Sequence, residues 1–97
     1  MVKKENRPKP LRILIAEDDT VIAMDLREAL ESLGHRVIGE ASTGVEALRL
    51  ARELKPDLLV LDIKMPELDG IEVATQILAE YPLAIIMLTA YTDEVLI

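Results

Sequence analysis

The sequence predicts an α/β domain built on a parallel sheet, and three observations carry that reading. Continuous apolar runs recur at Ile13-Leu14-Ile15-Ala16, Leu58-Leu59-Val60-Leu61 and Ala84-Ile85-Ile86-Met87-Leu88, as strands covered on both faces require. Stretches of helical spacing separate them, and alternating strands and helices with short connections favour a parallel sheet flanked by helices. Two of the runs end in carboxylates, Glu17-Asp18-Asp19 and Asp62, and the third ends in the hydroxyl of Thr89. Open α/β sheets place their chemistry at such carboxyl ends.

The first strand is expected over about 11–16. Helical spacing follows at Ile22, Leu26, Ala29, Leu30 and Leu33, with Gly34 as the stop. A second strand over about 36–41 leads to a helix opened by Thr43-x-x-Glu46, a capping-box pattern. Ala47, Leu48, Ala51 and Leu54 share one face of that helix, and Pro56 ends it. The third strand spans about 57–61 and hands Asp62 to a loop. Asp69 can then cap a helix whose inner face is Ile71, Ala74, Ile77, Leu78 and Tyr81, stopped by Pro82. A fourth strand covers about 84–88, and Thr92-Asp93-Glu94 has the pattern of a further helix start. Right-handed crossovers restrict the topology without fixing strand order. A site made from the ends of strands one, three and four requires those strands to be neighbours, which the order 2-1-3-4 satisfies.

Composition narrows the class. At 97 residues the chain has room for one small domain. Its core must be aliphatic, since it contains no Phe or Trp and only two Tyr. The absence of cysteine excludes disulfides and thiolate metal sites. No apolar run approaches the roughly 18 residues of a membrane span, and no signal-peptide core is present. A cytoplasmic protein without a membrane role is expected. Residues 1–10 carry a net +3 and two prolines, which reads as a flexible basic leader, while the rest carries −10 of the overall −7. So acidic a body would repel a phosphate backbone, and nucleic-acid binding by this segment is not expected.

Each acidic feature has a bland reading when taken alone. Glu17-Asp18-Asp19 suits a solvated helix start with Asp19 or Thr20 as cap, Asp62 suits a turn before Pro66, and Thr89 suits a strand end. Taken together at adjacent strand ends, Glu17, Asp18 and Asp62 form a hard oxygen donor set of the kind that suits Mg²⁺. A divalent cation would relieve their mutual repulsion and neutralise an incoming phosphoryl group. Asp62 could then act as nucleophile toward phosphorus, with the Thr89 hydroxyl on a phosphate oxygen.

The segments Ile13-Leu14-Ile15-Ala16-Glu17-Asp18-Asp19, Leu59-Val60-Leu61-Asp62-Ile63-Lys64-Met65-Pro66, Asp69-Gly70 and Leu88-Thr89-Ala90 resemble the receiver domain of two-component response regulators. The resemblance spans residue 11 to the end. It implies a flavodoxin-like, CheY-like sheet and Mg²⁺-dependent phosphoryl transfer from a sensor histidine kinase or phosphotransfer protein to Asp62. It also implies that Asp18 is the direct metal ligand, that Glu17 acts through water, and that the backbone carbonyl of Lys64 is a third ligand. Thr89 matches the switch hydroxyl, and Ala90 the small neighbour that admits phosphate. The run Leu88-Thr89-Ala90-Tyr91-Thr92-Asp93 is similar to the receivers of the ANTAR antitermination regulators.

The family pattern continues through a fifth strand ending in Lys-Pro and a fifth helix, so residues 11–97 are expected to form a receiver lacking both. Self-association through an uncharged fourth strand follows as an expectation. A pseudo-receiver that serves only as an interaction module is the alternative. A phosphatase of the haloacid dehalogenase type would place an Asp-x-Asp nucleophile after the first strand, where Glu17-Asp18-Asp19 stands instead. His35, after Gly34 in a turn, is read as solvent-facing and without a role.

Overall fold

A computed structural model describes residues 9–88. The chain alternates β1 (Arg12–Ala16), α1 (Thr20–Ser32), β2 (Arg36–Ala41), α2 (Gly44–Leu54), β3 (Leu58–Asp62), α3 (Gly70–Leu78) and β4 (Ala84–Leu88). All pairings are parallel, and the sheet order is β2-β1-β3-β4. The expected fold class and order are therefore those observed. The start of a further helix at Thr92-Asp93-Glu94 lies outside the described residues, as does most of the basic leader.

Alternation along the two central strands divides the core between the sheet's faces. Leu14, Ala16, Leu59 and Leu61 point to one face, where they meet Ala47, Leu48 and Ala51 of α2 and Val73 and Ile77 of α3. Ile13, Ile15, Leu58 and Val60 point to the other, where α1 contributes Ala23. Burial on both faces explains why β1 and β3 read as unbroken apolar runs. Among the described residues no helix is long and apolar enough to cross a membrane.

Two helices bury only part of the face expected: Leu26, Leu30, Ala74, Ile77 and Tyr81 pack inward, but Ile22, Ala29, Leu33, Ile71 and Leu78 do not. In α1 the inward residues are Ala23, with Leu26 and Leu30 partly buried, whereas Ile22 is 41% exposed and Leu33, at the C-cap, is 72% exposed. In α3 Val73 and Ile77 are buried, Ala74 is half-buried, and Ile71 and Leu78 lie outside. Both helices carry more apolar residues than one face can bury. The capping box of α2 also differs by one position. Thr43 Oγ1 accepts the Glu46 N–H at 3.1 Å, but the Glu46 carboxylate reaches back to the N–H of Ser42 at 3.0 Å. His35 is half-buried rather than solvent-facing, because its Nδ1 accepts the N–H of Leu11 at 3.0 Å where β1 begins.

Candidate functional site

Parallel pairing of Ala16 with Leu61 sets the ends of β1 and β3 side by side, so Glu17 and Asp62 emerge at one edge. Glu17 extends the sheet by donating its N–H to the carbonyl of Ala41 at 3.0 Å. Asp62 is the last residue of β3 rather than the first of the loop, and it pairs with Leu88. Both acids are buried, at 7% and 6% exposure, and Asp18 between them is open to solvent. One carboxylate oxygen from each of the three lies within 4.8 Å of the others. The sheet thus assembles the acidic set expected from Glu17, Asp18 and Asp62.

Confining these carboxylates has an electrostatic consequence. Burial pushes the Glu17 carboxyl up to about 7, and the nearby Asp62 and Asp18 carboxylates push the same way; the hydrogen bond from the Asp19 N–H acts against them. The donor set is oxygen only, partly solvent-accessible, and strained by like charge. It fits Mg²⁺, which takes one or two carboxylates and keeps several waters.

The loop after Asp62 is held at several points. The Lys64 N–H donates to Asp62 Oδ1 at 3.3 Å, and the Ile63 N–H donates to the Leu88 carbonyl at 3.1 Å. The Gly70 N–H returns to the Ile63 carbonyl at 2.7 Å, bringing the start of α3 so close that a side chain at Gly70 would overlap the Asp62 carbonyl. The Pro66 carbonyl accepts both the Leu68 N–H at 2.8 Å and the Gly44 N–H at 3.0 Å. A bond two residues apart around Glu67, at φ 73°, is a γ-turn. Gly44 leaves no room for a Cβ against the Leu68 carbonyl, so the start of α2 holds the loop closely as well.

Of the remaining expected residues, Lys64 lies at the start of this loop with its amide on Asp62. Thr89 and Ala90 lie outside the described residues, though Leu88, which precedes Thr89, pairs with Asp62. Asp19 is the helix cap that the sequence offers beside Thr20, whereas Gly44 is a contributor that the sequence reading misses. Asp19 caps α1 through bonds from Val21 and Ile22 at 2.9 and 3.2 Å, and its own N–H holds Glu17 Oε2 at 3.1 Å. Gly44 has only the neighbouring Thr43 cap to announce it.

Residues 13–97 match the family model described as the response regulator receiver domain. The chain is 46% identical over 88 residues to the transcriptional regulatory protein PdtaR of Mycobacterium tuberculosis, an alignment covering 91% of this chain and 43% of that protein. Among solved structures it is similar to the response regulator PhyR from Brucella abortus, with a TM-score of 0.83, 38% identity, and coverage of 88% of this chain and 35% of that one. It also resembles the response regulator domain of Thermotoga maritima CheB, with a TM-score of 0.81, 37% identity, and coverage of 89% and 65%. The chain spans less than half the length of the first curated relatives it matches.

Proposed function

This chain belongs to the response regulator receiver domain family, and from that premise we propose that Asp62 accepts a phosphoryl group in Mg²⁺-dependent signalling. The observation that carries the reading is a buried Asp62 whose carboxylate shares one edge with those of Glu17 and Asp18. Asp18, Asp62 and the backbone carbonyl of Lys64 would hold the metal directly, with Glu17 acting through water. When bound, Mg²⁺ offsets the charge of these carboxylates and of the phosphoryl oxygens.

An Asp62 oxygen attacks phosphorus on the phosphohistidine of a sensor kinase or phosphotransfer protein. The P–O bond forms as the P–N bond breaks, and its electron pair leaves on the imidazole nitrogen, which takes up a proton from solvent. The Lys64 amide keeps the other Asp62 oxygen oriented, while the Gly44 and Gly70 clamps hold the loop in place during attack. Thr89 donates its hydroxyl to a phosphate oxygen, and Ala90 leaves space beside it. Water attack on phosphorus later returns the electron pair to Asp62 and releases inorganic phosphate. The domain thus operates as a cytoplasmic, reversible switch for partner binding.

Incubation with Mg²⁺ and acetyl phosphate tests this reading through intact mass. The unmodified chain gains one phosphoryl group, and neither Asp62→Asn nor a sample in EDTA does. Absence of any gain, with folding intact, favours a receiver-like module that acts by binding alone.

A further inference from the structure

Asp19 contributes no oxygen to the cluster of Glu17, Asp18 and Asp62, yet it touches the cluster from behind. Its backbone N–H donates to Glu17 Oε2 at 3.1 Å. That amide is itself immobilised from two directions. The Asp19 Oδ1 accepts the N–H groups of Val21 and Ile22 at 2.9 and 3.2 Å, and the Asp19 carbonyl accepts the N–H of Ala23 at 2.9 Å. Ala23 is 4% exposed and packs beside Ile13, Ile15, Leu58 and Val60 under the sheet. A continuous set of bonds therefore runs from the core, through the first turn of α1, to one oxygen of a buried carboxylate.

We propose that Asp19 is a positioning residue of the metal site, fixing one oxygen of Glu17 through its amide and so leaving the other to face the cation's water shell. The inference rests on the Mg²⁺ reading given above and adds to it a residue that is not a ligand. A carboxylate free to rotate would satisfy its two lone-pair sets on whichever neighbour is nearest. Held by Asp19, Glu17 presents the same oxygen toward Asp62 each time. Outer partners of this kind commonly change metal affinity by roughly 10–100-fold when lost.

The role separates from simple helix capping through the choice of substitution. Asp19→Asn and Asp19→Ser keep a side-chain oxygen for capping, whereas Asp19→Ala removes it. Mg²⁺ binding by the full chain, followed calorimetrically at a temperature where every variant is folded, gives the readout. Asp19→Ala is expected to bind Mg²⁺ about tenfold more weakly, with Asp19→Ser recovering most of the loss. In a Glu17→Gln background Asp19→Ala is expected to add less than about twofold, because both changes act through one carboxylate.

Equal affinity of Asp19→Ala and the unmodified chain would overturn the proposal and leave Asp19 as a cap alone. Full additivity of the two substitutions would overturn it as well, showing an effect that does not pass through Glu17. Failure of the unmodified chain to bind Mg²⁺ would overturn the site reading itself, and the role of Asp19 with it; Mg²⁺ binding by that chain with an unaffected Asp19→Ala would remove only the latter.

Discussion

Glu17 is buried beside the Asp62 carboxylate, where water stabilises its charge poorly, and its pH behaviour follows from that. In the metal-free chain the Glu17 carboxyl titrates at about 7 against an ordinary 4.5, chiefly because it is buried. Between those values the folded chain keeps a proton that the unfolded chain has released, so stability falls as pH rises from about 4.5 to about 7. The loss is on the order of 3 kcal/mol, and Glu17→Gln is expected to flatten it in urea unfolding followed in EDTA at pH 5 and pH 8. Mg²⁺ requires the ionised form, so its affinity should climb with pH through the same window and level off above it. The residue types of this site were legible in the sequence, because carboxylates ending apolar runs have few other uses in combination. Their burial was not, since nothing local distinguishes buried Glu17 from exposed Asp18. His35 shows the same limit: its bond to Leu11 crosses 24 positions and leaves no local trace.

The elements around the site are held by close backbone approaches. A methyl group added at Gly70 would lie 2.9 Å from the Ile63 Cα and overlap the Asp62 carbonyl. Gly70→Ala is therefore expected to destabilise the chain by about 1–3 kcal/mol or more and to weaken Mg²⁺ binding, readable from urea midpoints and calorimetry. The helix faces offer a contrast. Ile77→Ala, at a fully buried position, should cost about 2–5 kcal/mol. Leu33→Ser, at a position 72% exposed, should stay within about 0.5 kcal/mol. From spacing alone Leu33 belongs to the core. Strand positions and the caps Thr43 and Asp69 were readable because alternation and N-cap chemistry are local properties. In α1 Leu26 and Leu30 were readable but Ala23 was not, because the exposed Val21, Ile22 and Met24 beside it are apolar too and local spacing does not choose between them.

For the whole molecule, parallel order β2-β1-β3-β4 converts distant acids into neighbours, and this much could be inferred from where the carboxylates stand along the chain. Less legible was the loop architecture, since it depends on the starts of two helices, at Gly44 and Gly70, bonding to Pro66 and Ile63 of one loop. At the sheet's edge β4 pairs with β3 alone among the described residues, and its Ile86 is 51% exposed on a strand without charge. We expect the 97-residue chain to self-associate at high concentration, and Ile86→Lys to reduce this in sedimentation experiments; a monomer at all concentrations would refute the expectation. Switching by this domain depends on one bond, between phosphorus and an oxygen of Asp62. Reducing the phosphorylated chain with borohydride and sequencing its peptides by mass spectrometry would locate that bond, because an acyl phosphate is converted to the alcohol where it stands. Homoserine is expected at position 62 and nowhere else, whereas homoserine at Asp18, Asp19 or Asp69, or at no position, would rule out Asp62 as the phosphoacceptor.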